Sequence, residues 1–424
     1  MARRTAALPF ILVTIIIDVL GIGLLIPVLP ELVTELSGGD LSTGSGYYGW
    51  FIAVYAAMQF LFAPVLGGLS DRYGRRPVLL LSLLGCGLDY LVMAVAPNLW
   101  ILFIGRIISG ITGANITVAN AYIADVSAPQ DRAKNFGMLG AAFGVGFILG
   151  PALGGLLAGI DIRAPFYAAA ALSLLNWLYG AFVLPESLKP ENRRKFSWRR
   201  ANPIGSLTAL RRNPFVGGLA FVYVCIGLAQ NSLHSIWVLY TTYRFEWTPF
   251  LNGLSLTFVG ILSAVVQGWL VRLIVPKIGE RRAILIGLSS ATIAFLLYGL
   301  TPVGWLMYFV MAIGGLGGLT GPSAQALISK AVPADAQGEV QGALASLMSL
   351  TGVAAPLAST MLFSYFTGDS APTDLPGAPL FMAAVLSGIS LWACVRLFRR
   401  VPPPVATALP DGAVDDSYAD NSGY

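Results

Sequence analysis

Twelve long apolar runs, joined by short polar turns, constrain this chain more than any other feature of its sequence. They fall at approximately 8–30, 46–68, 77–96, 99–124, 136–159, 164–184, 215–240, 251–275, 281–300, 303–328, 338–363 and 376–397. A helix rises about 1.5 Å per residue, so about 20 apolar residues cross the ~30 Å hydrocarbon layer of a bilayer. Within that layer each segment must satisfy its own backbone N–H and C=O groups, which the helix does. The expected fold is an all-α membrane protein with twelve transmembrane helices. Charge content agrees: only 11% of residues are charged, against about 25% in soluble domains, too few to cover a core of this size with polar surface. The 48 glycines fit helices that approach closely in lipid.

The basic residues set the expected orientation. With the amino terminus placed in the cytoplasm, 23 of the 26 Lys and Arg residues lie on the cytoplasmic side, Arg163 and Arg244 lie opposite, and Arg106 is within a span. That is a strong positive-inside signal. It places both termini in the cytoplasm, and it accounts for the formal charge of +5 without a nucleic-acid partner. The first span has no small-residue cleavage site before its prolines and is expected to be retained.

The longest polar connection, Glu186 to Asn213, separates six spans from six. The expected organisation is a six-helix bundle over 1–185, a cytoplasmic linker over 186–213, a second bundle over 214–400 and a tail over 401–424 of disordered composition. A weak repeat relates the halves: Gly74-Arg75-Arg76-Pro77-Val78-Leu79 between spans 2 and 3, and Gly279-Glu280-Arg281-Arg282-Ala283-Ile284-Leu285 between spans 8 and 9. Two pseudo-symmetric six-helix bundles with matching turns are a transporter architecture, with the substrate path near the midplane between them. Enzyme chemistry is not expected. The sequence has no HExxH, no Gly-rich phosphate loop, and no Ser or Cys near a base. Cys86, Cys225 and Cys394 are scattered, and one histidine, His234, cannot build a metal cluster. No cofactor is called for.

Four motifs occur in order on the expected spans. Gly67-Gly68-Leu69-Ser70-Asp71-Arg72-Tyr73-Gly74-Arg75-Arg76 resembles the loop motif of the major facilitator superfamily, G-x-L-a-D-r-x-G-r-k. Leu20-Gly21 through Pro27-Val28-Leu29-Pro30 is similar to a motif of its twelve-span drug exporters, and Leu102, Arg106, Ser109 and Gly110 to its buried-arginine motif. Gly144 through Gly150-Pro151, closing on Gly154-Gly155, resembles a run linked to antiporters rather than symporters. By resemblance, Asp71 and Arg75 belong to a charge relay that closes on Asp125 at the cytoplasmic end of span 4 and latches the halves in one state. Gly67, Arg72, Gly74 and Arg76 complete that motif. A positive cluster that only sets topology is the competing reading.

Longer stretches resemble the bacterial tetracycline/proton antiporters: Asp71 to Leu83, Leu88-Asp89-Tyr90-Leu91, Ser109 to Ala114, Trp237 to Tyr240 and Arg244-Phe245-x-Trp247. The resemblance implies a monomeric secondary transporter of a bacterial inner membrane. It would export an amphipathic small molecule, a tetracycline-like drug or a metal chelate of one, in exchange for protons. Uptake of a small metabolite by symport is the alternative on the same fold. The chain also departs from the pattern. Where that family carries a coupling histidine in span 8 and aspartate in span 9, alignment on Gln267 and Gly279-Glu280 places Ser263 and Ala291, which do not titrate near neutral pH.

An ionisable group at mid-membrane costs about 2.5–3.5 kcal/mol on insertion scales, so each one asks for a reason. Asp18 lies ~15 Å along span 1, and Asp89 and Arg106 lie about 12 and 10 Å from the outer surface. The matched depths of Asp89 and Arg106 suit a buried ion pair. Protonation removes the cost of a buried carboxylate, so Asp18 is the first candidate proton carrier and Asp89 the second; an Asp18 that leans on Arg106 structurally is the rival reading. Polar residues on apolar spans are the substrate-contact candidates: Gln59, Asn115, Asn120, Gln230, Asn231, His234, Gln267 and Gln325. Half of the amides are expected to bond neighbouring helices instead, and His234 to be a buried hydrogen-bonding residue.

Overall fold

The computed structural model describes residues 7–113, 115–194, 214–333 and 336–400; of Ala7, Asn115, Pro129, Arg132, Ala133 and Gly338 it describes the backbone alone. The expected disordered tail and most of the linker, 195–213, also lie outside it. Among the described residues are twelve helices long and apolar enough to cross a membrane. They are α1 (Leu8–Leu25), α2 (Leu41–Tyr73), α3 (Arg75–Val95), α4 (Leu99–Val126), α5 (Lys134–Ala158), α6 (Ala164–Val183), α7 (Pro214–Phe245), α8 (Pro249–Ile278), α9 (Glu280–Leu300), α10 (Leu306–Ala331), α11 (Glu339–Thr367) and α12 (Ala378–Arg400).

All twelve expected spans are present, with two instructive differences. The first span does not run through to residue 30. Its helix stops at Leu25, and Val28 N–H turns back to the Leu25 carbonyl at 3.1 Å before a separate short helix, Leu29–Leu36, begins with Pro30 in its first turn. Proline lacks the N–H an uninterrupted helix needs and is tolerated at a helix start. Conversely, α2 is longer than its apolar core. The Asp40 side chain caps it through Ser42 and Thr43 N–H, and Gly74, at φ 108°, ends it after Tyr73. Gly279, at φ 80°, ends α8 in the same way.

The two halves repeat one packing scheme. α1 packs on α5 and α6, α2 on α4, and α3 on α4 and α6; α7 packs on α11 and α12, α8 on α10, and α9 on α10 and α12. Between the halves, α2 meets α11 and α5 meets α8. This exchange of equivalents is what a twofold axis along the membrane normal produces.

Specific contacts place the seam at one end. Ser42 Oγ donates to the Ser364 carbonyl at 2.9 Å, and Thr257 Oγ1 donates to the Ile148 carbonyl at 3.0 Å. A methyl group on Gly155 would lie 2.6 Å from the Pro249 carbonyl oxygen. All of these lie away from the Arg-rich turn at 72–76. Toward that turn, Gly144 and Gly140 continue the seam face of α5, and a methyl group on either would meet nothing within 4 Å among the described residues. The bundle is closed at one end and parted at the Arg-rich end.

Candidate transport site and gate

A charged cluster lies inside the first half. Asp89 on α3 and Arg106 on α4 are both buried, and Arg106 Nη2 reaches Asp89 Oδ2 at 3.4 Å. The expected ion pair therefore forms, but loosely, since charge-assisted N–H···O bonds run about 2.7–2.9 Å. The same Nη2 lies 2.6 Å from Met93 Sδ and 3.4 Å from Ser109 Oγ, and the guanidinium sits over the Tyr55 ring at 5.6 Å. Asp89 Oδ1 and Arg106 Nε are buried with no hydrogen-bond partner among the described residues. Gly105 keeps space for that oxygen, because a methyl group there would come within 2.9 Å of it. Asp18 on α1 is buried beside this pair, and all three charges act on Tyr55 and Cys86. Tyr90 closes the group, its ring 3.4 Å from where a methyl group on Gly21 would stand.

The loop motif at the Arg-rich end folds into a compact relay. Arg75 opens α3, where its Nη1 meets Asp71 Oδ1 at 2.6 Å and Ser70 Oγ at 2.6 Å, and its Nε meets Asp125 Oδ2 at 3.1 Å. The expected Asp71–Arg75–Asp125 constellation is thus assembled. Its described partners all belong to the first half, in a structure parted at this end. Arg76 donates to the Ala181 carbonyl at 2.6 Å, Arg72 lies over the Tyr73 ring at 5.0 Å, and Gly67 faces Thr117.

One member of this group was not apparent from the sequence. Glu186, just past α6, accepts the backbone N–H groups of Arg75 at 2.9 Å, Arg76 at 3.3 Å and Leu188 at 3.0 Å. A carboxylate on the open amide groups of a helix start is favoured by the helix dipole. Ser187 Oγ adds a bond to Asp125 Oδ2 at 3.2 Å. The only sequence signal was an acid directly after a span. Gly74 serves this contact too, since a side chain there would run into the Glu186 carboxylate.

The polar candidates divide. Gln59 Nε2 donates to the Gly113 carbonyl at 3.2 Å, where α4 is interrupted, and Asn231 Nδ2 donates to Gly227 O at 2.9 Å and Thr351 Oγ1 at 3.1 Å. Both hold helices together, as half the amides were expected to. Gln325 accepts from Tyr223 OH at 3.4 Å. Asn120 is half-buried on α4, and Gln267 is exposed on a π-type turn of α8, Val266–Leu270. His234 departs from expectation. It is exposed within the interior and makes no hydrogen bond among the described residues, one turn beyond half-buried Gln230 on α7. Ser263 is half-buried. Ala291 is buried and packs on α10, its Cβ 3.4 Å from where a methyl group on Gly317 would stand.

The Major Facilitator Superfamily profile matches residues 11–356 and 274–415, which together span nearly the whole chain. The chain belongs to the major facilitator superfamily. Within it, the tetracycline resistance protein of class C from Escherichia coli is 44% identical over 362 residues, 85% of this chain and 91% of that one. The class G protein from Vibrio anguillarum is 40% identical over 414 residues, 96% and 99% of the two chains. Among solved structures, the human organic anion transporter MFSD10 aligns with a TM-score of 0.69 at 24% identity, covering 92% of this chain and 99% of that one. A bacterial homolog of the human lysosomal transporter Spinster aligns with a TM-score of 0.77 at 16% identity, covering 95% and 99%. This superfamily member is a multi-pass membrane protein with the twelve-helix, two-bundle fold of membrane transporters for small molecules.

Proposed function

We propose that this chain exports a tetracycline-like amphipathic drug in exchange for protons, by alternating access, across a bacterial inner membrane. The Arg-rich end and both termini face the cytoplasm, so the present state opens inward. The protein works as a monomer with no resident cofactor, and its cargo is the drug or a metal chelate of it. The observation that carries the reading is the loose Asp89–Arg106 pair with its bare carboxylate oxygen, buried inside the first half of a chain similar to tetracycline resistance proteins.

The chemistry follows from that pair. With Asp89 ionised, Arg106 holds it by charge. A proton delivered to Oδ1 needs no existing bond to break, neutralises Asp89 and releases much of that hold. Asp18 beside it is the second group through which a proton passes. Coupling requires that proton and drug each favour a different state, because a ligand moves an equilibrium only by its differential affinity. Arg75, held by Asp71 and Asp125, latches the cytoplasmic end of the first half. His234 and Gln230 offer hydrogen bonds to the drug from α7. The antiporter-like run on α5 and the tetracycline resistance relatives favour export over metabolite uptake.

The test is tetracycline uptake into inside-out vesicles under a proton gradient, with the parent protein beside Asp18→Asn and Asp89→Asn. Uptake in the parent that collapses in a variant supports both cargo and coupling. No uptake in the parent refutes the cargo, and unchanged pH dependence in both variants refutes the coupling site.

A further inference from the structure

His234 is the one histidine of the chain, and it stands where the space between the parted halves ends. On α7 it is exposed, while the residues beyond it toward the closed end, Ser235 to Thr241, are all buried. Both seams are closed at that level. The Ser235 and Ser359 hydroxyls lie 2.8 Å apart, and the next residue of α11, Thr360, leaves no room for a methyl group on Gly49 of α2. On the other side Trp237 Nε1 donates to Ser255 Oγ of α8 at 3.0 Å, and Thr257, also on α8, donates to the Ile148 carbonyl of α5 at 3.0 Å.

The side chain's direction follows from its neighbours on the helix, which turns about 100° per residue. Asn231, about 60° round from His234, bonds to Thr351 of α11. The α12 side lies about 120° to 160° round: Ser390 donates to the Val222 carbonyl there, and Leu397 abuts Gly218. Tyr223, whose hydroxyl donates to the Gly321 carbonyl of α10 at 2.9 Å, and half-buried Gln230 share the His234 face. That face looks into the space between the halves, away from α12 and the lipid. The imidazole makes no hydrogen bond there among the described residues. Because α7 and α8 run antiparallel, one turn from the Trp237–Ser255 bond toward the Arg-rich end reaches His234 on α7 and Phe258 on α8 at the same level. Phe258 lies edge-on to Tyr308 of α10 at 5.3 Å, and both rings are half-buried.

We propose that His234 is a specificity-determining residue, which anchors the hydroxyl–carbonyl edge of a flat cargo whose rings lie along Phe258 and Tyr308. This rests on the reading that the chain exports a small molecule from between its halves. A neutral imidazole offers one donor and one acceptor, and a phenol or enol beside a carbonyl supplies their complements. Half-exposed aromatic rings favour flat ring systems over branched chains. The position also suits alternating access. An anchor at the level where the seam closes is reached from the Arg-rich end in the present state, and from the other side once the seam parts.

A single histidine allows the test to be made on the unaltered chain. Purified without a histidine tag, it is treated with diethyl pyrocarbonate, and carbethoxylation of His234 is followed by absorbance and by mass spectrometry of its peptide. Tetracycline at ten times its Kd should slow the modification about tenfold, as occupancy requires. Ethidium, flat but without oxygen, should not protect. His234→Leu should raise the KM for tetracycline uptake about 2- to 10-fold, the worth of one net hydrogen bond, and more than it lowers kcat; His234→Gln, which keeps a donor and an acceptor, should recover most of the loss. Tetracycline transport with no protection of His234, equal protection by ethidium, or a parental KM in folded His234→Leu overturns the inference. A parent that neither binds nor moves tetracycline overturns the cargo reading together with it, so the two failures are told apart.

Discussion

A single methyl group at the closed end of the seam should bias the transport cycle. In Gly155→Ala the new Cβ would stand 2.6 Å from the Pro249 carbonyl oxygen and 2.9 Å from Phe250 Cα, backbone atoms of α8 that cannot rotate aside. Ordinary van der Waals contact requires α5 and α8 to separate there by about 0.8 Å. Overpacking of this kind costs about 1–3 kcal/mol. The contact crosses between halves, so the cost falls on the state closed at this end and not on the opposite state. The equilibrium should then move about 5- to 150-fold away from the form parted at the Arg-rich end. The assay is the labelling rate of a Gly140→Cys reporter, on the part of α5 toward that end, with N-ethylmaleimide in membrane vesicles; in Gly155→Ala it should fall while drug uptake slows. Gly180→Ala is the control. Its Cβ would come 2.9 Å from Leu80 Cδ2, a contact inside the first half and away from α5, so it should lower the thermal midpoint and leave labelling of the folded protein as in the parent. Parental labelling in Gly155→Ala, or an equal shift in Gly180→Ala, would refute the assignment of the seam.

Two further outcomes follow from the caps. Glu186→Ala leaves the first amide groups of α3 without their acceptor and should cost about 1 kcal/mol, the size of a lost helix cap; thermal unfolding of the purified protein measures it, and an unchanged midpoint excludes the contact. Asp40 receives Thr43 Oγ1 at 2.5 Å and Thr43 N–H at 2.8 Å, which hold its carboxyl below the usual carboxylate range. The cap should thus be fully present above about pH 4 and be lost as pH falls through the lowered folded value. Asp40→Ala should lower the midpoint at pH 7, and the gap from the parent should shrink in acid; a gap that stays constant contradicts the sign.

The spans were readable because lipid leaves a helix no alternative, and apolar length marks each one. The relay was readable because its members sit in one dense motif, and Asp125 followed from the family resemblance. The pairing of Asp89 with Arg106 came from depth alone, which two residues on adjacent spans permit. What escaped depends on tertiary approach. Glu186 has no local pattern that sends it back onto α3, and the end of α1 at Leu25 turned on which of two prolines started a new helix. His234 differs from the expected hydrogen-bonded core residue because sequence fixes its depth and not its direction. The turn at Gly279 was readable as a repeat of that at Gly74, but the Glu280–Lys330 pair was not, because Lys330 comes to it only by tertiary approach.

The glycine run on α5 ties these parts into one device. Gly146, Gly150 and Gly154 lie against α1, at Val19, Gly23 and Leu24, with no room for a methyl group. Gly155 lies against the start of α8, and Pro151 meets Gly253 there. One helix therefore presses on the helix that carries Asp18 with one face and on the other half of the protein with the next. Contacts this close do not absorb small displacements, because packed interiors are stiff. A shift of α1 when charge changes at Asp18 or Asp89 is passed by α5 to the seam without an intervening loop. The second half has Ser263 and Ala291 where the tetracycline exporters' pattern has titrating groups, and this route does not need them. On the proposed function, proton binding acts on the first half and the seam conveys it. The same route explains why an antiporter would keep α5 bare of side chains on two faces at once: a side chain on either face would loosen the link between proton site and gate.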